Sequence, residues 1–431
     1  MKNNIKSVYK HFLECPNVST DTRKLQKGEM FFALKGPNYD ANQLIDEALE
    51  KGAGYVITEN RLPTNHPQII EVEDSLKTLQ QLANYHRQQT NAKVIAVTGS
   101  NGKTTTKELI AKVLSTQYPT IYTTGNLNNH IGVPLSVLQI QKDTTYAVIE
   151  MGANHLGEIR ALCQIAEPDM GIITNIGKAH LEGFGSLTGV INAKSELYAY
   201  ISDHNGMLFV NTDDPLLETL SKNIARFTYG NDLDADLYGQ LIEADPYLHI
   251  AWEYSSFQMV TASRIIGSYN ISNILAAIAV GCYTGVSAKL IDQVISDYES
   301  VNNRSQLIQS KHNRIILDAY NANPVSMEAA IRNFEQIRGA RAIVILGDML
   351  ELGTESDSEH AAILKLLTDL ELPEVILVGP HFEQVYAGDD WLIFNEVESV
   401  CNYLKDRTLK GYDILVKGSR AMQLEKVIGF L

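Results

Sequence analysis

Residues 97–106 read Val97-Thr98-Gly99-Ser100-Asn101-Gly102-Lys103-Thr104-Thr105-Thr106 and close the apolar run Lys93-Val94-Ile95-Ala96-Val97. An apolar strand that passes through glycines into a helix opening on Lys-Thr has the parts needed to bind a nucleoside triphosphate. Glycines let backbone N–H groups close around phosphate oxygens, and the helix N-terminus adds favourable partial charge. Lys103 can reach the terminal phosphates, and the Thr104 hydroxyl can hold Mg²⁺. The standard P-loop spaces its glycines more widely, whereas here only Ser100 and Asn101 separate Gly99 from Gly102. The loop is therefore a variant; a strand-to-helix turn that merely needs glycine is the competing account.

Three further positions could carry chemistry. Glu150 ends an apolar strand and precedes Met151-Gly152-Ala153-Asn154-His155. Its carboxylate would emerge beside the loop and bind Mg²⁺ if the two strands are neighbours; otherwise it is a surface acid at a strand end. His180, in the polar loop Asn175-Ile176-Gly177-Lys178-Ala179-His180-Leu181-Glu182, could ligate a metal with support from Glu182, although a lone histidine is usually structural. Lys194, within Ile191-Asn192-Ala193-Lys194-Ser195-Glu196-Leu197, reads on its own as a solvated helical lysine or a phosphate contact.

These residues need a scaffold, and the chain supplies an α/β one. Its 431 residues suggest roughly three domains, each able to bury its own core. The first ~88 residues form a small α/β unit, with strand-like 30–34 and 54–57 and a helix near 41–51. A polar helix through 84–89 leads into the strand at 93–97, and further strands end at Glu150, Asn175 and Asn211, which implies a mostly parallel sheet. A second, Rossmann-like series follows from about residue 304, with strands at 315–317, 342–346, 375–378 and 414–416. The expected units are 1–90, 91–303 and 304–431. Ligands of open parallel sheets bind beyond the carboxyl ends of strands, which marks 98–104, Glu150, Asp318, Gly347-Asp348 and Lys417-Gly418.

Composition limits the partners. Thirty-six Lys and Arg against 51 Asp and Glu give a formal charge of -15, which argues against nucleic acid or an anionic membrane surface as the ligand. Cys15, Cys163, Cys282 and Cys401 show no metal-ligand spacing and read as reduced thiols of a cytoplasmic protein. No window is apolar for long enough to span a membrane, and the opening residues do not resemble an export signal.

Taken together, the motifs resemble the Mur ligases of bacterial cell-wall synthesis. The shortened loop at 98–105 is similar to that of the family, and Gly125-Asn126-Leu127-Asn128-Asn129-His130-Ile131-Gly132-Val133-Pro134, Glu150-Met151-Gly152-Ala153, Ala179-His180-Leu181-Glu182 and Ala193-Lys194-Ser195-Glu196-Leu197 follow in the family's order. The resemblance implies ATP contacts from Gly99, Ser100, Asn101, Gly102, Lys103, Thr104 and Thr105, and Mg²⁺ held by Thr104, Glu150, His180 and Lys194, the lysine being carbamylated. It also implies that Asn270 and Asn273 approach adenine, Asp318 binds ribose and Arg304 neutralises the γ-phosphate, with Tyr269 standing where relatives often have His. Catalysis would rest on Lys103, Lys194, His180 and Arg304.

The last third, with 318–324, 346–353 and 417–420, resembles the branch that couples UDP-N-acetylmuramoyl-tripeptide to D-alanyl-D-alanine; the Asp-Asn-Pro-Arg of the diaminopimelate-adding branch is absent. Implied substrate contacts are Thr22, Arg23 and Lys35 for the UDP-sugar, then Asn128, Asn129, Tyr320, Asn321, Asn323, Ser419 and Arg420. Asp40-Ala41-Asn42 stands where the family has Asp-Gly-His. The expectation is a monomeric cytoplasmic ligase working through an acyl phosphate, with His360 and Glu351 as open options for the base that deprotonates the amine. A folylpolyglutamate synthetase-type ligase is the nearest alternative, and a nucleotide-dependent switch ATPase a more distant one.

Overall fold

A computed structural model of the chain describes residues 4–60, 66–300 and 303–431. Its apolar runs become the strands of three main sheets. The first holds four short parallel strands in the order Val18–Ser19, Met30–Phe32, Tyr55–Thr58 and Ile69–Glu71. The helix expected near 41–51 is a tight turn, Ala41–Leu44, running into a helix at Ile45–Glu50.

The middle sheet has nine strands. From one edge to the other they are Phe257–Ile266, Tyr247–Tyr254, Leu237–Ala244, Arg226–Gly230, Met207–Asn211, Met170–Ile173, Lys93–Thr98, Tyr146–Glu150 and Thr120–Tyr122. Pairing is parallel except among the first three, which form an antiparallel ribbon. Apart from Lys93 at their edge, the central strands are buried because helices cover both faces, so they read as unbroken apolar runs. Val97 sits opposite Glu150 and Thr98 opposite Ile173. The glycine loop, Glu150 and the segment after Ile173 thus leave the sheet side by side, at the carboxyl ends of adjacent strands.

The third sheet begins with an antiparallel edge strand, Gln306–Gln309, and continues in parallel through Arg314–Asp318, Asp413–Lys417, Ala342–Gly347, Val375–Val378 and Leu392–Phe394. Its register sets Asp318 opposite Lys417. This is the α/β architecture expected, with parallel-dominated sheets throughout.

The cores are less separate than length suggests. Helix Ser75–Arg87 packs on Ile5–Glu14 with one face and on Gly132–Val137 and Glu158–Ala166 with another. Phe12 and Met30 of the first unit therefore share one apolar cluster with Leu82, Val94 and Ile149. His86 ties the two polar networks together: its Nδ1 lies 3.3 Å from the Tyr9 hydroxyl and its Nε2 2.7 Å from the Ile140 carbonyl oxygen. Arg87 donates to the Ala166 carbonyl at 3.0 Å and to Asp169 at 2.9 Å. Among the described residues no helix is long and apolar enough to cross a membrane, and all four cysteines are free.

Candidate active site

The glycine loop is held from beneath by the segment that follows Met170–Ile173. Ser100 N–H donates to the Asn175 carbonyl at 3.0 Å, Asn101 N–H to Asn175 Oδ1 at 3.0 Å, and Ser100 Oγ to the Gly177 carbonyl at 2.9 Å. Gly99 has φ +146°, and a β-carbon there would collide with the Thr174 hydroxyl; Gly102 has φ +78°, and a β-carbon there would strike Asn273. Neither position tolerates a side chain, so the loop backbone stays bare where phosphate oxygens would approach. Lys103 opens the helix Lys103–Ser115 and bends its ammonium back onto the Gly99 and Ser100 carbonyls at 2.7 and 3.0 Å. Loss of water around it pulls its pKa down to about 8; Glu150 opposes that fall and Arg304 adds to it.

Glu150 is 1% exposed, and both carboxylate oxygens are engaged. Asn128 Nδ2 donates to Oε1 at 2.8 Å and Thr104 Oγ1 donates to Oε2 at 2.8 Å. Lys107, one turn beyond Thr104, lies 3.7 Å from the same Oε2 and donates to the Thr123 carbonyl at 2.7 Å. A buried hydroxyl beside a buried carboxylate is an oxygen donor pair suited to Mg²⁺, which keeps several waters and takes one or two protein ligands together with phosphate. Among the described residues no cluster of three or more His, Cys, Asp or Glu side chains gathers for a metal, so the donor set fits a cation that completes its shell elsewhere.

A cavity of about 770 Å³ opens over the loop, and the third sheet supplies its opposite wall. Ser100–Thr105, Asn128, Asn129, Glu150, His180, Asn270 and Asn273 line one side, with Arg304, Asp318, Tyr320, Asn321 and Lys417 on the other. The Arg304 guanidinium stacks 3.6 Å from the Tyr320 ring centre, and its Nε has no hydrogen-bond partner among the described residues. Asp318 accepts from Lys417 Nζ at 2.6 Å and from Ser305 N–H at 3.0 Å, which fixes its carboxylate at the rim. Asn270 and Asn273 are committed internally: Asn273 donates to Asn270 Oδ1 at 2.8 Å and accepts from Thr106 Oγ1 at 3.0 Å, so the pair props Gly102 from behind.

His180 has φ +52° and faces the third sheet, its Nδ1 2.5 Å from Glu351 Oε2. That pairing holds the Glu351 carboxyl below its ordinary pKa. Lys194 lies behind the cavity wall rather than on it, only 1% exposed. Its ammonium makes no hydrogen bond or ion pair among the described residues and sits 5.5 Å over the Phe184 ring. Burial, with Lys103 adding repulsion, brings its pKa down to about 7.

Other expected residues lie apart. Thr22 is buried, its carbonyl accepting from Lys51; Arg23 is exposed and paired with Asp21 at 2.8 Å; Lys35 sits on an exposed hairpin, 3.9 Å from Asp40. All three belong to the first sheet's unit and none lines the cavity. Asn323 caps helix Pro324–Ile337 and donates to Asn101 Oδ1 at 2.8 Å, joining the third sheet's unit to the glycine loop. Ser419 is buried and accepts from Leu350 N–H at 2.9 Å, while Arg420 pairs with Glu425 and reaches a side recess beside Arg304. Asp348 proves to be a buried cap, accepting from His381 and Phe382 N–H at 2.9 and 3.0 Å, and His360 is wholly buried behind it. Of the residues sequence reasoning passed over, Lys107 is the most telling: it looks like any helical lysine, and only its spacing from Thr104 hints that it points inward.

The chain matches the Mur ligase middle domain over residues 97–281 and the Mur ligase, glutamate ligase domain over residues 303–420. It is 36% identical to the UDP-N-acetylmuramoyl-tripeptide–D-alanyl-D-alanine ligase of Bacillus subtilis (strain 168), covering 95% of this chain and 92% of that protein. Among solved structures it is similar to crystal structure I of MurF from Acinetobacter baumannii, with a TM-score of 0.87 and 31% identity over 96% of this chain and 92% of that one. MurF ligase from Thermotoga maritima, in complex with ADP, gives a TM-score of 0.85 at 28% identity and 97% coverage of each chain.

Proposed function

The chain belongs to the Mur ligase family, and on that premise we propose that it adds D-alanyl-D-alanine to UDP-N-acetylmuramoyl-tripeptide at the expense of ATP. One observation carries the reading. A single cavity gathers the bare glycine loop and the Thr104–Glu150 pair with Arg304, Asp318 and Tyr320, which lie more than a hundred positions further along the sequence. A terminal carboxylate of the tripeptide attacks the γ-phosphorus of ATP and ADP departs, leaving an acyl phosphate. The dipeptide amine then attacks the acyl carbon, phosphate leaves, and a proton is lost as the amide forms.

Each residue has a part in that sequence. Loop N–H groups and Lys103 hold the phosphates, Arg304 meets the charge of the transferring phosphoryl group, and Asn270, Asn273 and Asp318 shape the nucleoside end. Mg²⁺ held by Thr104, Glu150 and His180, with a carbamylated Lys194 helping to hold a second ion, would neutralise phosphate charge. The amine of Lys194 is suited to carbamylation because burial leaves much of it neutral near pH 7. A neutral amine adds to CO₂ and releases one proton, and the product is an anion where an ammonium stood. Thr22, Arg23 and Lys35 would bind the UDP-sugar in unit 1–90. Asn128 and Asn129 of unit 91–303 would guide the tripeptide, and Tyr320, Asn321, Asn323, Ser419 and Arg420 of unit 304–431 the dipeptide. The reading includes a monomer, and free thiols with ATP as co-substrate support the cytoplasm.

The deciding experiment supplies ATP, UDP-N-acetylmuramoyl-tripeptide and D-alanyl-D-alanine and looks for the amide by mass spectrometry alongside ADP release. ADP appearing without any amide would sink the assignment. For the carbamate, Lys194→Ala is expected to abolish activity and a small carboxylic acid such as formate to restore part of it; a variant that stays inert across formate concentrations argues against the modification.

A further inference from the structure

Lys107 has no part in the reaction just described, yet it is wholly buried against the carboxylate on which metal binding depends. Its stem comes from the helix that carries Thr104, so the two side chains reach Glu150 from successive turns of one face. Thr123 completes the ring: its carbonyl accepts from Lys107, and its hydroxyl accepts from Glu150 N–H at 3.0 Å. The ammonium also lies 3.9 Å from Glu108, which shares a recess with Thr104 and Arg304. Among the described residues that line the cavity and the recess, together with Lys107, five Lys and Arg side chains face five carboxylates, Glu150 and Glu108 among them. A dication entering alone meets no net negative charge.

We propose that Lys107 is a positioning residue that makes metal binding conditional on nucleotide: its fixed charge holds Glu150 in place and cancels its pull on a free divalent cation. The polyphosphate then brings the negative charge that the site lacks, so metal and nucleotide arrive as one. This rests on the reading of Thr104 and Glu150 as metal ligands and goes beyond it, because it assigns the order of loading to a residue that touches neither phosphate nor reacting carboxylate.

The test measures Mn²⁺ binding to the full chain by electron paramagnetic resonance, without nucleotide and with a non-hydrolysable ATP analogue. Lys107→Gln keeps a donor for the Thr123 carbonyl and removes the charge. It is expected to bind Mn²⁺ about tenfold more tightly than the parent in the absence of nucleotide. Lys107→Arg should behave as the parent. Unchanged or weaker nucleotide-free binding in Lys107→Gln overturns the proposal, as does a parent chain that binds Mn²⁺ equally well with and without nucleotide; the latter needs no variant to fold. Glu150→Gln separates the two readings: if it leaves Mn²⁺ binding with the analogue untouched, the ligand assignment fails, whereas if that binding is lost and Lys107→Gln has no effect, only the role of Lys107 fails.

Discussion

His360 shows how a residue of the right type can be excluded from chemistry by its bonds. Its Nε2 accepts from Met349 N–H at 3.1 Å, so Nδ1 carries the proton and donates to the Ser356 carbonyl at 2.7 Å. That is a neutral imidazole with both nitrogens occupied, unsuited to taking a proton from an incoming amine. Burial lowers its pKa below the usual 6.5, and His381, 5.4 Å away ring to ring, lowers it further. The Ser356 carbonyl, Asp348 at 3.7 Å and Asp357 oppose that. Unfolding frees the ring to take up a proton that the native state refuses. Stability should therefore fall as pH drops from about 6.5 towards the native value, and His360 should contribute nothing to pH dependence above that window. His360→Gln, whose amide oxygen can still accept from Met349, is expected to flatten this limb; urea midpoints at pH 7.5 and 5.5 in both proteins measure it, and an undiminished drop in the variant would refute the account. His360 and Lys107 also mark where reading from residue type stops. Histidine suggests catalysis and a helical lysine suggests solvent, and here burial reverses both.

Secondary elements place the loop, and the helix Pro324–Ile337 reaches across to it. Asn323 has two duties there: Oδ1 caps the helix by accepting from Ser326 N–H at 2.9 Å, and Nδ2 donates to Asn101. Serine caps about as well as asparagine but is too short for the second contact. Asn323→Ala should lower stability by about 1 kcal/mol and Asn323→Ser should restore most of it, by thermal melts. Both should lose about fivefold in kcat/KM for ATP, roughly one hydrogen bond's worth. Normal kinetics in Asn323→Ser would leave the cap as its only role. The elements themselves were unequally legible. Strands such as Lys93–Thr98, Tyr146–Glu150 and Met207–Asn211 stand out in the sequence because parallel strands buried on both faces are continuous apolar runs. The ribbon of Leu237–Ala244, Tyr247–Tyr254 and Phe257–Ile266 is harder to read because it has no continuous apolar run: 240–243 are exposed, and Glu243, Glu253 and Arg264 interrupt its outer face. Val18–Ser19 is too short to leave any pattern.

Across the whole molecule, helix Ser75–Arg87 decides how the first half behaves. Leu82 is fully buried in the cluster shared by the first and middle sheets. Leu82→Ala should cost about 2–5 kcal/mol and loosen both sheets together. Hydrogen exchange is the measurement: amides in Met30–Phe32 and Lys93–Thr98 should lose protection in parallel, and loss confined to one strand would show that the units open independently. The sequence shows a polar helix through 84–89 leading into the next strand, but not that this one helix packs on both sheets. His86 and Arg87 are polar because each bonds across a junction, not because they face water. The same helix bears on recombination. A graft that exchanges the leading unit by cutting after it leaves Leu82, His86 and Arg87 against foreign partners, and a cut before it strips Phe12 and Met30 of theirs. The first half of this protein has no seam, so any chimaera made there must carry two interfaces at once.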